Sequence, residues 1–154
     1  MAGNIITTKL QDDLKTSMKA KDKLRVSTLR MLINEMKNAQ LEEREELPEA
    51  KEIAIITSYA KKRRESIKSY EQGGRDDLAE SERQELEIVM DYLPEQMSED
   101  EIRAEIVKTV AGTGANGPKD MGMVMGPLMA KFKGRADGGT VKMITMEILR
   151  GGKG

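Results

Sequence analysis

The amino-acid sequence predicts an all-α protein: an N-terminal bundle of about four helices, followed by a small three-helix C-terminal tail domain. Three observations predict it. Apolar residues recur every three or four positions, as in Ile6, Leu10, Leu14 and Met18, which is the repeat of one helix face. No segment shows the strict apolar–polar alternation of a half-buried strand. Eleven of the 14 glycines lie from Gly112 onward, so the chain changes character in its last third.

The elements follow in order. A first helix runs from about Asn4 to Ala20. Asp22 is placed to cap a second, whose Val26, Leu29, Ile33 and Met36 share a face and which fades near Arg44. Pro48 opens a third, where its missing N–H costs nothing, and Gly73-Gly74 ends it. A fourth runs from Asp76 to about Tyr92, with Leu78, Leu86, Val89 and Met90 inward and Pro94 as a stop. Leu93 to Met97 reads as a linker. Ser98-Glu99-Asp100-Glu101 has the form of a capping box, and the helix it opens carries Ile102, Ile106 and Val110. Pro118 starts the next, with Met121, Val124, Leu128 and Phe132 inward, and Gly134 ends it. Asp137 caps the last, with Val141, Ile144, Ile148 and Leu149 apolar. The expected divisions are residues 1–95, 96–150 and a frayed tail over 151–154.

Composition restricts the chemistry. Cysteine and histidine are both absent. That excludes disulfides and thiol nucleophiles, and removes the usual general base and the commonest metal ligand. The carboxylates of 42–52 and 76–101 then read as solvated faces. No catalytic residue, metal site or cofactor is expected. Aromatics make up 3% of the chain against 12 methionines, so the cores must be aliphatic and adaptable. The net charge of −1 hides segregation: residues 61–75 hold six Lys/Arg against two Asp/Glu, whereas residues 76–101 hold one against eleven. Such blocks imply distinct basic and acidic faces. The start of the chain lacks a signal-peptide pattern, and no apolar run approaches the length of a membrane span. The expectation is a cytoplasmic protein without membrane contact.

Several motifs compete for meaning. Gly112-Thr113-Gly114-Ala115-Asn116-Gly117 matches the letters of a dinucleotide-binding turn, and Asp137 lies 20 residues further on. That turn needs a preceding strand. The preceding segment is helical by pattern, so the glycines read as a chain reversal. In Lys61-Lys62-Arg63-Arg64, Arg63 falls among the apolar positions of its own helix, as does Arg25 among Leu29, Leu32 and Met36. Both are expected to pair with carboxylates inside a helix interface. Lys61, Lys62, Arg64 and Lys68 form a secondary basic patch, read first as a solvated face and second as a phosphate contact.

Lys131, Lys133 and Arg135 cluster at a helix C-terminus, where the dipole favours cations. Arg135 lies past the terminating glycine, and Lys119 stands at the opposite end, where a cation is disfavoured. These four are the candidates for an anionic partner. Met121, Met123, Met125 and Met129 lie on the same helix. Met123 and Met125 fall away from its apolar line, which fits either partial burial or an adaptable protein-binding surface.

Taken together, Tyr92-Leu93-Pro94-Glu95-Gln96-Met97-Ser98, Gly114-Ala115, Pro118-Lys119-Asp120-Met121-Gly122 and Lys133-Gly134-Arg135-Ala136-Asp137-Gly138 resemble the GatB/YqeY family. Ser27-Thr28-Leu29-Arg30 and Lys62-Arg63-Arg64-Glu65-Ser66-Ile67 resemble its stand-alone members. The resemblance extends from about residue 5 to 150. Its C-terminal part is similar to the tail domain of the B subunit of glutamine-dependent aspartyl/glutamyl-tRNA amidotransferase. The resemblance implies a tail that helps hold tRNA while ammonia transfer occurs elsewhere. One departure is Met123, where family members often carry a basic residue.

Three functions follow as expectations. The first is a non-catalytic accessory protein binding tRNA or another structured RNA. The second is a protein-interaction adaptor working through the Met-rich helix. The third, carbon–nitrogen ligase activity with glutamine as amido donor, rests on the resemblance alone and is opposed by the lack of His and Cys.

Overall fold

The computed structural model describes residues 3–151. The expected frayed tail therefore lies, apart from Gly151, outside the described residues. Seven α-helices and no strand occur among the described residues. They are α1 (Ile5–Lys19), α2 (Lys23–Glu43), α3 (Glu49–Gln72), α4 (Asp76–Met90), α5 (Glu99–Thr113), α6 (Met121–Phe132) and α7 (Gly138–Leu149). A single 3₁₀ turn, Pro118–Asp120, precedes α6. The protein is all-α.

The helix ends follow local chemistry. The Asp22 side chain accepts from the Arg25 N–H, and Asp137 accepts from the Thr140 N–H. Ser98 and Glu101 form a reciprocal capping box at α5. Pro48 sits one position outside α3, as its N-cap, rather than inside its first turn. The segment Gly112 to Gly117 begins inside a helix rather than after a strand: Gly112 and Thr113 end α5, and Gly114 closes it in the left-handed region, at φ 74°.

The chain divides into two compact units, the first ending at Leu93 and the second beginning at Pro94. In the first, α1 pairs with α2 and α3 with α4 around Leu10, Leu29, Leu32, Met36, Leu47, Ile56 and Val89. Leu78 is only half-buried, and Ala79 takes the covered position beside it. In the second, α5, α6 and α7 pack around Ile102, Ile106, Val124, Leu128, Phe132, Val141 and Ile144.

One interior group departs from its expected place. Glu52, read as part of a solvated face, is fully buried. Its carboxylate accepts from the Ile6 N–H at 3.1 Å, the Thr7 N–H at 2.7 Å and the Thr7 hydroxyl at 2.6 Å. These are first-turn donors of α1, which have no partner within their own helix. A residue of α3 thus caps α1. Asn4 holds the same junction, donating its N–H to the Leu47 carbonyl at 2.9 Å and accepting from the Leu47 N–H at 3.0 Å.

Candidate nucleic-acid interface

The basic cluster after α6 is built on a tight reversal. Lys133 and Gly134 are both left-handed, at φ 45° and 80°. The Arg135 N–H then returns to the Phe132 carbonyl at 2.9 Å. The linker before α5 is tied to this turn by backbone and side chain alike. Met97 N–H donates to the Arg135 carbonyl at 2.8 Å. Gln96 Nε2 donates to the Gly134 carbonyl at 2.9 Å and to the Pro94 carbonyl at 2.8 Å. Arg135 Nε donates to the Glu95 carbonyl at 3.0 Å. A surface turn that would otherwise be mobile is thereby held, which lowers the ordering cost of binding.

The four candidate cations have different situations. Lys133 and Arg135 are exposed. Arg135 commits only its Nε to a backbone carbonyl, and a guanidinium carries four further N–H donors. Lys131 Nζ lies 2.7 Å from the Glu105 carboxylate. That bond holds the Glu105 carboxyl below its ordinary value, so the Lys131 charge is answered within the unit. Lys119 is exposed in the 3₁₀ turn at the start of α6. It lies twelve positions before Lys131, which is near the end of α6, roughly 18 Å away at 1.5 Å per residue. The fold brings together Lys131, Lys133 and Arg135 and leaves Lys119 apart.

The α6 surface differs from the sequence pattern. Met125 and Met129 pack against the core of their unit, whereas Met123 is 49% exposed. Met143 of α7 is more exposed still, at 67%.

In the first unit, Arg63 lies between two carboxylates of α4. Its Nη1 is 3.4 Å from Glu82 and 3.5 Å from Glu85. Its guanidinium also stands over the Tyr59 ring, 4.7 Å from the centroid. Tyr59 donates to Glu85 at 2.6 Å; burial first, and then that bond, push its hydroxyl well above the ordinary tyrosine range. Arg25 pairs with Asp91 at 3.5 Å.

The secondary patch is not one surface. Lys61 and Lys68 are exposed and lie on nearly the same meridian of α3, whereas Lys62 is about 100° away. Lys62 borders a groove with Glu35, Lys51 and Tyr59. Arg64 is half-buried, with Nη2 3.3 Å from the Met90 sulfur.

Among the described residues, no three Asp or Glu side chains converge to hold a metal ion. No described helix is long and apolar enough to cross a membrane. The roles of Glu52 and Gln96 escaped sequence reasoning. Glu52 occupies an ordinary position in a glutamate-rich segment, and nothing local marks it as the cap of a helix 45 residues earlier. Gln96 stands in a recognisable motif, but one of its two acceptors, the Gly134 carbonyl, lies 38 residues further along the chain.

Comparison with known proteins supplies the lineage. The family described as "Yqey-like protein" matches residues 7–149. A protein of Pyrenophora tritici-repentis named "Altered inheritance of mitochondria protein 41, mitochondrial" is 31% identical over 135 residues, covering 86% of this chain and 74% of that protein. Proteins of the same name from Lachancea thermotolerans and Candida glabrata are 36% and 34% identical over 102 and 94 residues. The matches cover 63% and 60% of this chain, and 54% and 51% of those two proteins.

The expectation of a cytoplasmic location is overturned by these relatives, which are named as mitochondrial. The physical reason is that a core of packed helices is the same in any aqueous compartment, so the composition of the fold carries no address. Family and fold are established together: this chain belongs to the YqeY-like protein family.

Proposed function

We propose that this protein is a non-catalytic RNA-binding accessory, holding tRNA or another structured RNA at the turn between α6 and α7. The observation that carries the reading is the exposed Lys133–Arg135 pair on a turn tied down by Gln96, Met97 and the Glu95 carbonyl. Lysine supplies a point charge and arginine a planar fork, a combination suited to phosphate oxygens. Carboxylates close to this turn are engaged within the unit: Glu101 in its capping box, Glu105 with Lys131 and Asp137 as the cap of α7. Likeness to the tail of tRNA amidotransferase supports the choice of tRNA, with amidation chemistry left to a separate enzyme.

The test is a tRNA titration with the full chain at several salt concentrations. Wild type is expected to bind with log Kd rising steeply with log salt. Lys133→Ala with Arg135→Ala is expected to lower that slope by about two, at roughly 0.9 per lost phosphate contact. Lys131→Ala alone should move the slope less, because its charge faces Glu105. Absence of tRNA binding at low salt, where phosphate contacts are strongest, sinks the proposal.

A second reading has its own observation. Met123 and Met143 are large, exposed and unbranched, as on adaptable protein-binding surfaces. A protein partner recovered equally after nuclease treatment, and lost in a Met123→Ser, Met143→Ser variant, would favour an adaptor instead.

A further inference from the structure

The hairpin between α1 and α2 carries a cationic tip that the C-terminal reading does not use. Lys15, Lys19, Lys21 and Lys23 fall within nine residues, and all four are exposed. None of their ammonium groups has a carboxylate partner among the described residues. Of the nearby acids, Asp22 accepts from the Arg25 N–H at 3.1 Å and Asp13 accepts from the Tyr92 hydroxyl at 2.5 Å, while the exposed Asp12 lies one turn before Lys15 without forming an ion pair with it. The backbone of the tip is fixed, with Ala20 N–H donating to Thr16, Lys21 N–H to Met18 and Asp22 N–H to Ser17, all at 3.0–3.1 Å.

Folding alone does not account for these lysines. Lys19 ends α1, where the dipole favours it. Lys23 opens α2, where the dipole opposes a cation, and the only acid at that helix start is the N-cap Asp22, whose carboxylate is bonded to the Arg25 N–H. Lys21 adopts φ 58°, a region that Cβ itself disfavours, so that only glycine enters it freely. Glycine at 21 and a carboxylate at 23 would serve the hairpin better.

The residue types narrow the partner. Ammonium groups on flexible stems suit phosphate oxygens one at a time. The tip has no aromatic residue, so it offers no platform for stacked bases. Its one arginine, Arg25, is paired with Asp91. Met18 and Leu24 are 50% and 37% exposed. Two partly covered apolar side chains are too few to form the apolar face of an interfacial membrane anchor.

We infer that the α1–α2 tip is a second, sequence-independent contact for the phosphate backbone of double-helical RNA. The inference rests on the RNA-binding reading above but on different residues.

The experiment titrates the full chain with two probes, tRNA and a short blunt RNA duplex, over a range of salt. Two variants are compared with wild type: Lys15→Gln with Lys19→Gln and Lys23→Gln, and Lys21→Gly. The triple variant is expected to lower the salt slope for the duplex by about one per lysine removed. Lys21→Gly is expected to melt at least as high as wild type, because glycine relieves the left-handed backbone, while lowering the slope by about one. A variant that keeps its stability and loses a phosphate contact cannot be explained by unfolding. Unchanged slopes in both variants overturn the inference and leave the C-terminal site standing. Wild-type binding to tRNA but not to the duplex does the same. Failure to bind either probe removes both proposals. Binding of phosphatidylserine vesicles that is lost in the triple variant, with RNA slopes unchanged, overturns the inference in favour of a membrane.

Discussion

At the scale of single residues, two charged groups decide the first unit, and they do so differently. Glu52 is fully buried without a cation among its partners; three donors of α1 satisfy it. Truncation would leave the Ile6 and Thr7 N–H groups without acceptors in a dry site, at about 1–3 kcal/mol for each orphaned group. Glu52→Ala is therefore expected to lower unfolding free energy by roughly 2–4 kcal/mol, and Glu52→Gln by less, since an amide oxygen still accepts. Chemical denaturation of the three proteins checks the order. Arg63 is one-fifth exposed and holds Glu82 and Glu85 together. Removing it leaves two neighbouring carboxylates of α4 unanswered at the α3–α4 seam. Arg63→Ala is expected to lower the melting temperature, and Arg63→Lys to recover part of the loss while forfeiting the planar contact with Tyr59. An unchanged melting curve for Arg63→Ala would refute the structural role.

At the scale of elements, the ends and interiors of helices carry separable terms. Ser98 accepts from the Glu101 N–H at 3.2 Å, and the Glu101 carboxylate accepts from the Ser98 N–H at 3.0 Å. Ser98→Ala is expected to cost about 1 kcal/mol. The Ser98 backbone N–H, then its side chain, hold Glu101 below its ordinary value of 4.5, with a smaller contribution from Arg135. A depressed folded value means the unfolded chain binds the proton first. The contribution is complete above about pH 4.5 and is lost as pH falls through the lower folded value. Glu101→Gln is expected to flatten that acid-side loss, read from urea midpoints at neutral pH and in steps below 4.5. In α6, Pro127 stands inside the helix and is exposed. It removes a backbone donor and presses on the preceding turn. Pro127→Ala is expected to stabilise the chain, by up to about 3 kcal/mol, in thermal unfolding. A melting point that does not rise would refute a net cost of the proline at this position.

At the scale of the whole molecule, the periodicity, the caps and the glycines were enough to anticipate the all-α class and the positions of all seven helices, because each depends on residues within a few positions of one another. Asp22, Ser98 and Asp137 cap the helices they precede by local geometry, and Gly114 ends α5 because only a left-handed residue turns the chain there. The four cations after Gly117 were legible as charges for the same reason. Their differences were not. Lys131 is answered by Glu105 and Arg135 is tethered to Glu95, partners 26 and 40 residues away. The partial covering of Arg64 likewise depends on Met90 of α4, 26 residues away. Amino-acid order determined where helices begin, end and turn an apolar side inward, since hydrogen bonding and apolar spacing act over one or two turns. Tertiary structure alone decided which charges are spent inside the fold and which remain for a partner, because electrostatic pairing and desolvation depend on distance in space rather than along the chain.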